Sequence, residues 1–360
     1  MEYLKELRKE KIYQNSSENE LYKLNEISNT IGNYINENKE ELKPIESTLN
    51  LVTGEEKTNT EVNDSYGNKV IVPAGFKIIN PEDNVTDGII IQDIQAGDER
   101  SKGNQFVWIP VGTIRIDNRG NSKEVLLGRY TFDDEGNKEL IQLAEDYKDE
   151  TDKYLINDAY KELSNSTYGN TVSKNLGEFI QKTLQNGGYY IARYEAGDPE
   201  TTGIRNASSS QEIIPVTKSG IYAYNYITQQ NAANVVKKMY SNTNFTVDLI
   251  NSYTWDTAIV FIQTFAKENN SLNYSIQNGK NTVGTVQKTG EGILSSTNAL
   301  DIQCNIYDMA GNVREWSTET SITDVGNVVD RGGHFSGGRM NTSFRYNQNK
   351  TNGFRAIIYL

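Results

Sequence analysis

Two side chains limit the chemistry this chain can do: it holds one cysteine, Cys304, and one histidine, His334. A zinc site of Cys/His type needs several such ligands and cannot be built from these. No disulfide can close within the chain. His334 is the sole imidazole that could act as a general base; directly after Gly332-Gly333 it equally suits a loop residue holding one hydrogen bond. Oxygen ligands are more plentiful. Asp308 and Glu315 flank the turn pair Gly311-Asn312 in the string Tyr307-Asp308-Met309-Ala310-Gly311-Asn312-Val313-Arg314-Glu315-Trp316. Such a loop can turn two carboxylates and intervening carbonyls towards one point, which is what a hard cation such as Ca²⁺ requires. The alternative is that both acids hydrogen-bond loop amides or Arg331. The doublet Gly332-Gly333 suits positive φ and the close approach of another segment. A phosphate-cradling loop would need a following helix, and none is evident. Arg331 and Arg355 are read as donors of internal hydrogen bonds.

The elements that must position these residues are short. Lys69–Pro73, Gly88–Ile91, Gln105–Val111 and Gly188–Tyr194 are brief β-branched or aromatic runs bounded by turn residues. Two helices are expected. Asn231–Tyr240 carries Ala, Val and Met at helical spacing, and Thr254–Lys267 places Trp255, Ala258, Ile259, Ile262 and Phe265 on one face. Residues 133–165 read as a charged, partly helical insertion, and 268–300 as loops rich in Gly and Asn. The mixture indicates an α+β domain over 69–360, with 53–68 as a polar linker. Residues 1–52 form a separate helical segment. There Ser17 and Glu20 have the form of a capping box, and a 3-4 alternation runs through Leu21, Leu24, Ser28, Ile31, Ile35, Asn38, Leu42, Ile45 and Leu49. Pro44 interrupts it. Residues 18–50 therefore suit either a homo-oligomerising stalk or a helix lying on the main domain.

The bulk composition excludes several roles. A formal net charge of −12 repels phosphate backbones, so nucleic acid is not an expected partner. The charged start, Met1-Glu2-Tyr3-Leu4-Lys5-Glu6, has no signal-peptide form, and no apolar run is long enough to span a membrane. Cytoplasmic or virion-associated placement is expected. The 22 Tyr suit half-buried strands and binding surfaces alike.

Three ordered strings carry a resemblance: Tyr307 to Trp316, then Val329-Asp330-Arg331-Gly332-Gly333-His334-Phe335, then the closing Gly353-Phe354-Arg355-Ala356-Ile357-Ile358-Tyr359-Leu360. They resemble the formylglycine-generating (sulfatase-modifying factor) family, whose members read D-M-x-G-N-V-W-E-W, R-G-G-S-[WY] and G-F-R. Arg314 stands where a second Trp is usual, and His334 where Ser is usual. Val247-Asp248-Leu249 followed by Tyr253-Thr254-Trp255-Asp256 resembles the family's R-L-P-T-E-A-E-W segment more weakly. The resemblance implies a C-type-lectin-like fold with little regular structure, whose two chain ends meet in a small sheet closed by Ala356–Tyr359. It also implies structural calcium, with Asp308 and Glu315 as side-chain ligands and Gly311 and Val313 as carbonyl ligands.

The family's oxidases bind Cu(I) through a cysteine pair just after the R-G-G string. Phe335 to Tyr346 contains no cysteine, and the nearest counterparts are Gly337 or Gly338 and Ser343. Copper is not expected, a multi-histidine iron site is excluded by the single His, and no catalytic residue is assigned. Residues 334–352 then occupy the place of the family's active-site surface, with adaptable polar groups around a few aromatic anchors. His334, Phe335, Arg339, Asn341, Ser343, Phe344, Arg345, Tyr346, Asn347 and Asn349 are the candidate ligand-binding residues, for a protein or glycan receptor. The arrangement resembles phage receptor-binding proteins and the variable proteins of diversity-generating retroelements. Alternatives are an enzyme of the same superfamily with unrecognised chemistry, and a structural or assembly protein.

Overall fold

The structure, a computed structural model, describes residues 45–133, 136–147, 154–155, 160–162, 176–266, 284–294, 299–321, 328–335, 345–346 and 351–360. The chain divides into two units, residues 1–44 and 45–360. The first lies outside the described residues, and with it most of the expected stalk.

In chain order the strands are β1 Thr60–Asn63, β2 Lys69–Val72, β3 Phe76–Ile78, β4 Ile90–Asp93, β5 Gln105–Pro110, β6 Gly112–Arg115, β7 Ser122–Val125, β8 Gly128–Phe132, β9 Lys138–Leu143, β10 Tyr154–Leu155 and β11 Tyr160–Glu162. They continue with β12 Gly188–Ala192, β13 Thr246–Leu249, β14 Ile293–Leu294, β15 Ala299–Leu300, β16 Ile302–Gln303, β17 Ile306–Tyr307, β18 Glu315–Ser321, β19 Val328–Arg331, β20 Arg345–Tyr346, β21 Gly353–Phe354 and β22 Ala356–Tyr359. The helices are α1 Leu176–Asn186, α2 Gln229–Val236 and α3 Ser252–Phe265. This is the expected α+β mixture. None of the described helices is long and apolar enough to cross a membrane.

The central sheet runs β13-β22-β12-β5-β4-β3, all antiparallel. Its middle strands are buried on both faces: β12 is buried throughout, as are Phe106 to Pro110 of β5. That explains why those stretches read as continuous apolar runs without alternation. The last strand, β22, lies between β13 and β12. The first described strands, β1 and β2, pair with each other, and among the described residues neither pairs with β22. A second sheet, β10-β11-β18-β19-β20, carries β21 parallel to β18.

Helix α3 joins the layers. Asn251 and Thr254 form its capping box, each side chain satisfying the other residue's amide. Every residue from Ser252 to Ile262 is buried, so the helix is apolar almost all round. Asp256 is the exception in charge, and it is paired. Its Oδ2 accepts from the Tyr130 amide at 3.0 Å and its Oδ1 from Arg331.

Three sequence expectations change. The stretch 133–165 is mostly β in its described parts, with one 3₁₀ turn at Ala144–Asp146: β9 folds back on β8 through a turn in which Asp133 accepts from the Asn137 amide at 2.8 Å, and β10 and β11 extend the second sheet. Within the expected linker, residues 60–63 form β1. Leu49, read as a seam position of the N-terminal helix, begins a 3₁₀ turn and is fully buried in the domain core. The Thr48 amide donates to the Asn63 carbonyl at 2.9 Å, which ties this entry segment to β1.

Candidate functional site

The turn after β17 is built on left-handed backbone. Asp308 has φ 59° and Asn312 φ 54°. These residue types tolerate that region because a short polar side chain can bond locally. Gly332 and Gly333 pack directly on this turn. A Cβ on Gly333 would lie 1.8 Å from the Ala310 carbonyl oxygen, and one on Gly332 2.9 Å from that of Met309. Close backbone approach, as expected from the doublet, accounts for both glycines.

The turn is held from below by carboxylates. Asp308 accepts from the amides of Gly290 at 2.7 Å and Gly292 at 3.1 Å. Asp301 accepts from the Ala310 amide at 2.7 Å, and Glu195 from the Val313 amide at 3.0 Å and from the Asn312 side chain. Glu315 receives Arg355 on both oxygens, at 2.6 and 2.9 Å. Arg355 also donates to the carbonyls of Ala192 at 2.9 Å and Tyr307 at 2.8 Å, locking the turn to the central sheet. Arg331 pairs with Asp256 and, at 2.8 Å, with Glu319. Both arginines are internal, as expected, and Glu315 is bound by Arg355, not Arg331.

Four carboxylates, Glu195, Asp301, Asp308 and Glu315, thus lie buried about one guanidinium. Burial pushes three of these carboxyl groups up, those of Asp308, Glu195 and Glu315, and takes Asp308 to about 7 with the Asp301 charge adding to the effect. Burial also raises Glu195, reinforced by Asp308 and Glu315, and Glu315 is raised by burial against the pull of Arg355. Hard oxygens in excess over cationic charge are the chemistry a calcium ion suits. The expected ligand set has only two carboxylates, Asp308 and Glu315, with the Gly311 and Val313 carbonyls completing it. Among the described residues no three of His, Cys, Asp and Glu gather as a metal-holding group.

The second part of the site lies where β19 and β21 deliver the chain to either end of residues 334–352. His334 Nε2 and Thr351 Oγ1 lie 3.1 Å apart and join those ends. The His334 and Phe335 rings approach at 4.1 Å between centroids, tilted by 34°. Phe335 packs on Ala223, Val286 and Val313, and its amide donates to Asn312 at 2.8 Å. Burial, then the nearby Arg314 charge, depresses His334 to about 4, so the imidazole is neutral at pH 7. Asp330, fully buried, accepts from Asn352 Nδ2. Burial pushes it up to about 7 against Arg314 and Asn352, which favour the anion.

Of the predicted ligand-binding residues, His334 and Phe335 come together here. Arg345 and Tyr346 form β20, in register with Arg331 and Asp330 of β19. Arg339, Asn341, Ser343, Phe344, Asn347 and Asn349 lie outside the described residues. Sequence reading did not single out Glu195, Asp301, Asp330 or Thr351, and noted Arg314 only as standing in the place of a usual Trp. Glu195 had a signal, an acid ending the apolar run Gly188–Tyr194; Asp330 had another, a carboxylate directly after Val328-Val329.

No protein-family model matches the chain, and no curated protein matches it.

Proposed function

We propose that this chain is a non-catalytic binding protein that presents residues 334–352 to a protein or glycan receptor on a C-type-lectin-like, formylglycine-generating-enzyme-like scaffold. The observation that supports the reading is the joining of that segment's two ends by His334 and Thr351 over a deeply braced turn. A rigid base under a polar and aromatic stretch is what a binding surface needs if it is to spend little entropy on contact. The chemistry available at this base supports binding over turnover. The one cysteine, Cys304, has no second thiol to share a copper ion with, and His334 is held neutral and hydrogen-bonded. Display from a phage tail or as a retroelement-diversified protein, with self-association through residues 18–50, belongs to the same proposal.

Calcium is proposed as a structural ion on the turn, with Asp308, Glu315 and the Gly311 and Val313 carbonyls as ligands. The excess of buried carboxylate over guanidinium supports it. When bound, the ion would supply charge compensation.

The binding reading is tested on glycan and cell-surface arrays with the intact chain and with alanine at Phe344, Arg345 and Tyr346 together. Retention on a defined receptor class, lost in the triple variant while the fold persists, is the expected result. Undiminished binding by the triple variant would refute the assigned face.

A further inference from the structure

The pentapeptide Asp-x-x-Gly-Asn occurs at 64–68, 117–121, 133–137 and 308–312. The first three copies lie between the paired strands β1 and β2, β6 and β7, and β8 and β9, and each closes on itself. The Asp carboxylate accepts from the Asn amide at 2.8, 3.1 and 2.8 Å, and from the Asn Nδ2 at 2.9, 2.6 and 2.9 Å. In 64–68 and 133–137 the Asp amide also donates to the Asn carbonyl, at 3.0 Å in both. Left-handed backbone falls on the glycine: Gly67, Gly120 and Gly136 have φ 79°, 83° and 84°. The fourth copy has the same residues and different partners. Asp308 gives its carboxylate to the Gly290 and Gly292 amides and donates its own amide to the Asp301 carbonyl at 2.8 Å. Asn312 donates Nδ2 to Glu195, accepts the Gln287 amide on Oδ1 at 2.8 Å, and accepts the Phe335 amide on its carbonyl at 2.8 Å. Positive φ has moved to Asp308 and Asn312, and Gly311 is not left-handed. A Cβ on Gly311 would meet only Asp301 Oδ2, at an ordinary 3.7 Å. Glycine is therefore not required by the observed turn, but it is required by the form its three counterparts take.

We infer that 308–312 is a two-state turn, held open by Glu195 and residues 287–292 and able to close into the clasp of the other three copies. Closure exchanges named bonds. The Asp308 carboxylate leaves Gly290 and Gly292 for Asn312, and Asn312 Nδ2 leaves Glu195. The Asn312 carbonyl takes the Asp308 amide and gives up that of Phe335. Relief of two left-handed non-glycine residues favours the clasp, and the tertiary bonds given up oppose it. Phe335 thereby loses its backbone tether to the turn. The inference rests on the binding reading above and gives that face a switchable seat, set by the strip at 287–292.

With phenylalanine isotopically labelled in the full chain, hydrogen exchange at the Phe335 amide is followed beside that of Phe106 in the central sheet. Alanine at 311 suits the open turn and is strained in the clasp. Gly311→Ala should therefore slow Phe335 exchange roughly tenfold relative to Phe106. Glu195→Gln, which sets a second amide donor against Asn312 Nδ2, should speed it, and adding Gly311→Ala should reverse the gain. Gly120→Ala is the calibration, because a Cβ there meets nothing within 4 Å and only the backbone cost of alanine in a clasp remains. It should lower the urea midpoint, whereas Gly311→Ala should not. Exchange at Phe335 that follows Phe106 in the Gly311→Ala chain overturns the two-state turn. So does a Gly311→Ala chain as destabilised as Gly120→Ala, or no acceleration in Glu195→Gln. Because no ligand is used, those outcomes leave the binding face standing, whereas failed arrays with slowed exchange would reject the face and keep the turn.

Discussion

Gly333 has no room for a side chain, because the Ala310 carbonyl occupies the space a Cβ would take. Gly333→Ala should therefore force the β19 exit away from the 308–313 turn and cost at least about 2–4 kcal/mol, as overpacking against backbone does. Urea unfolding of the variant checks this, and a loss under about 1 kcal/mol would contradict the packing. Asp330 carries a prediction of different kind. Its native pKa of about 7 exceeds the ordinary 3.8, so the folded state keeps a proton that the unfolded chain has released. Its stabilising contribution is full below about pH 4 and is lost as pH rises to 7. His334, depressed to about 4 from 6.5, acts with opposite sign: its contribution is present above 6.5 and is lost as pH falls to 4. Asp330→Asn removes only the first term. The variant should gain on the wild type by roughly 1–3 kcal/mol between pH 5 and 7, read from unfolding midpoints at the two values. The glycine doublet and the internal role of both arginines were legible in the sequence because they follow from residue type. The partners were not: Glu315 meets Arg355 across 40 positions, and Asp308 meets Gly290 across 18. No local pattern encodes such pairings.

At the scale of elements, strands were found wherever apolar runs are bounded by turns, and β5 and β12 hold the places read for them. Helices α2 and α3 begin two residues before the expected starts, since their caps are Thr228 and Asn251. What misled was charge. Residues 133–165 read as partly helical because they are rich in Lys, Glu and Asp, yet beyond one 3₁₀ turn at Ala144–Asp146 the described part is strand: β9 pairs along β8 with most of its side chains in solvent, where polar residues cost a strand little. Helix α1 was missed because its apolar face is short, with Leu176, Phe179, Ile180 and Thr183 buried. Helix α3 is the element on which the site depends, since Asp256 reaches Arg331 from it. With both partners fully buried, Asp256→Asn would remove one of the two carboxylates, Asp256 and Glu319, that Arg331 pairs with. A cost of about 3–5 kcal/mol is expected for breaking such a pair. Thermal unfolding measures it, and the same variant should broaden the amide resonances of β19 if the pair positions that strand. A variant as stable as the wild type would mean that the pair is not what holds β19 to α3.

On the scale of the whole molecule, two properties bear on how a binding face would be presented. The net charge of −12 gives the chain a repulsive field against other acidic surfaces, so attachment has to come from specific contacts. The second is where the chain divides, at Pro44 and Ile45, which is upstream of the boundary that composition alone suggests. Leu49 explains the difference: its side chain is fully buried in the domain, so a cut at residue 50 would remove a core contact as well as the N-terminal segment. A large apolar residue of this sort contributes about 2–5 kcal/mol when truncated. Deletion of residues 1–50 should therefore lower the melting temperature for reasons unrelated to assembly, so the cut that tests the stalk falls between 44 and 45. Sedimentation equilibrium then isolates the question of the stalk. If residues 18–44 drive self-association through their apolar alternation, the full chain sediments as an oligomer and the 45–360 unit as a monomer. Equal masses for the two would remove the multivalency on which weak receptor contacts depend for avidity, and display through an N-terminal stalk would have to be abandoned while the 45–360 fold stood.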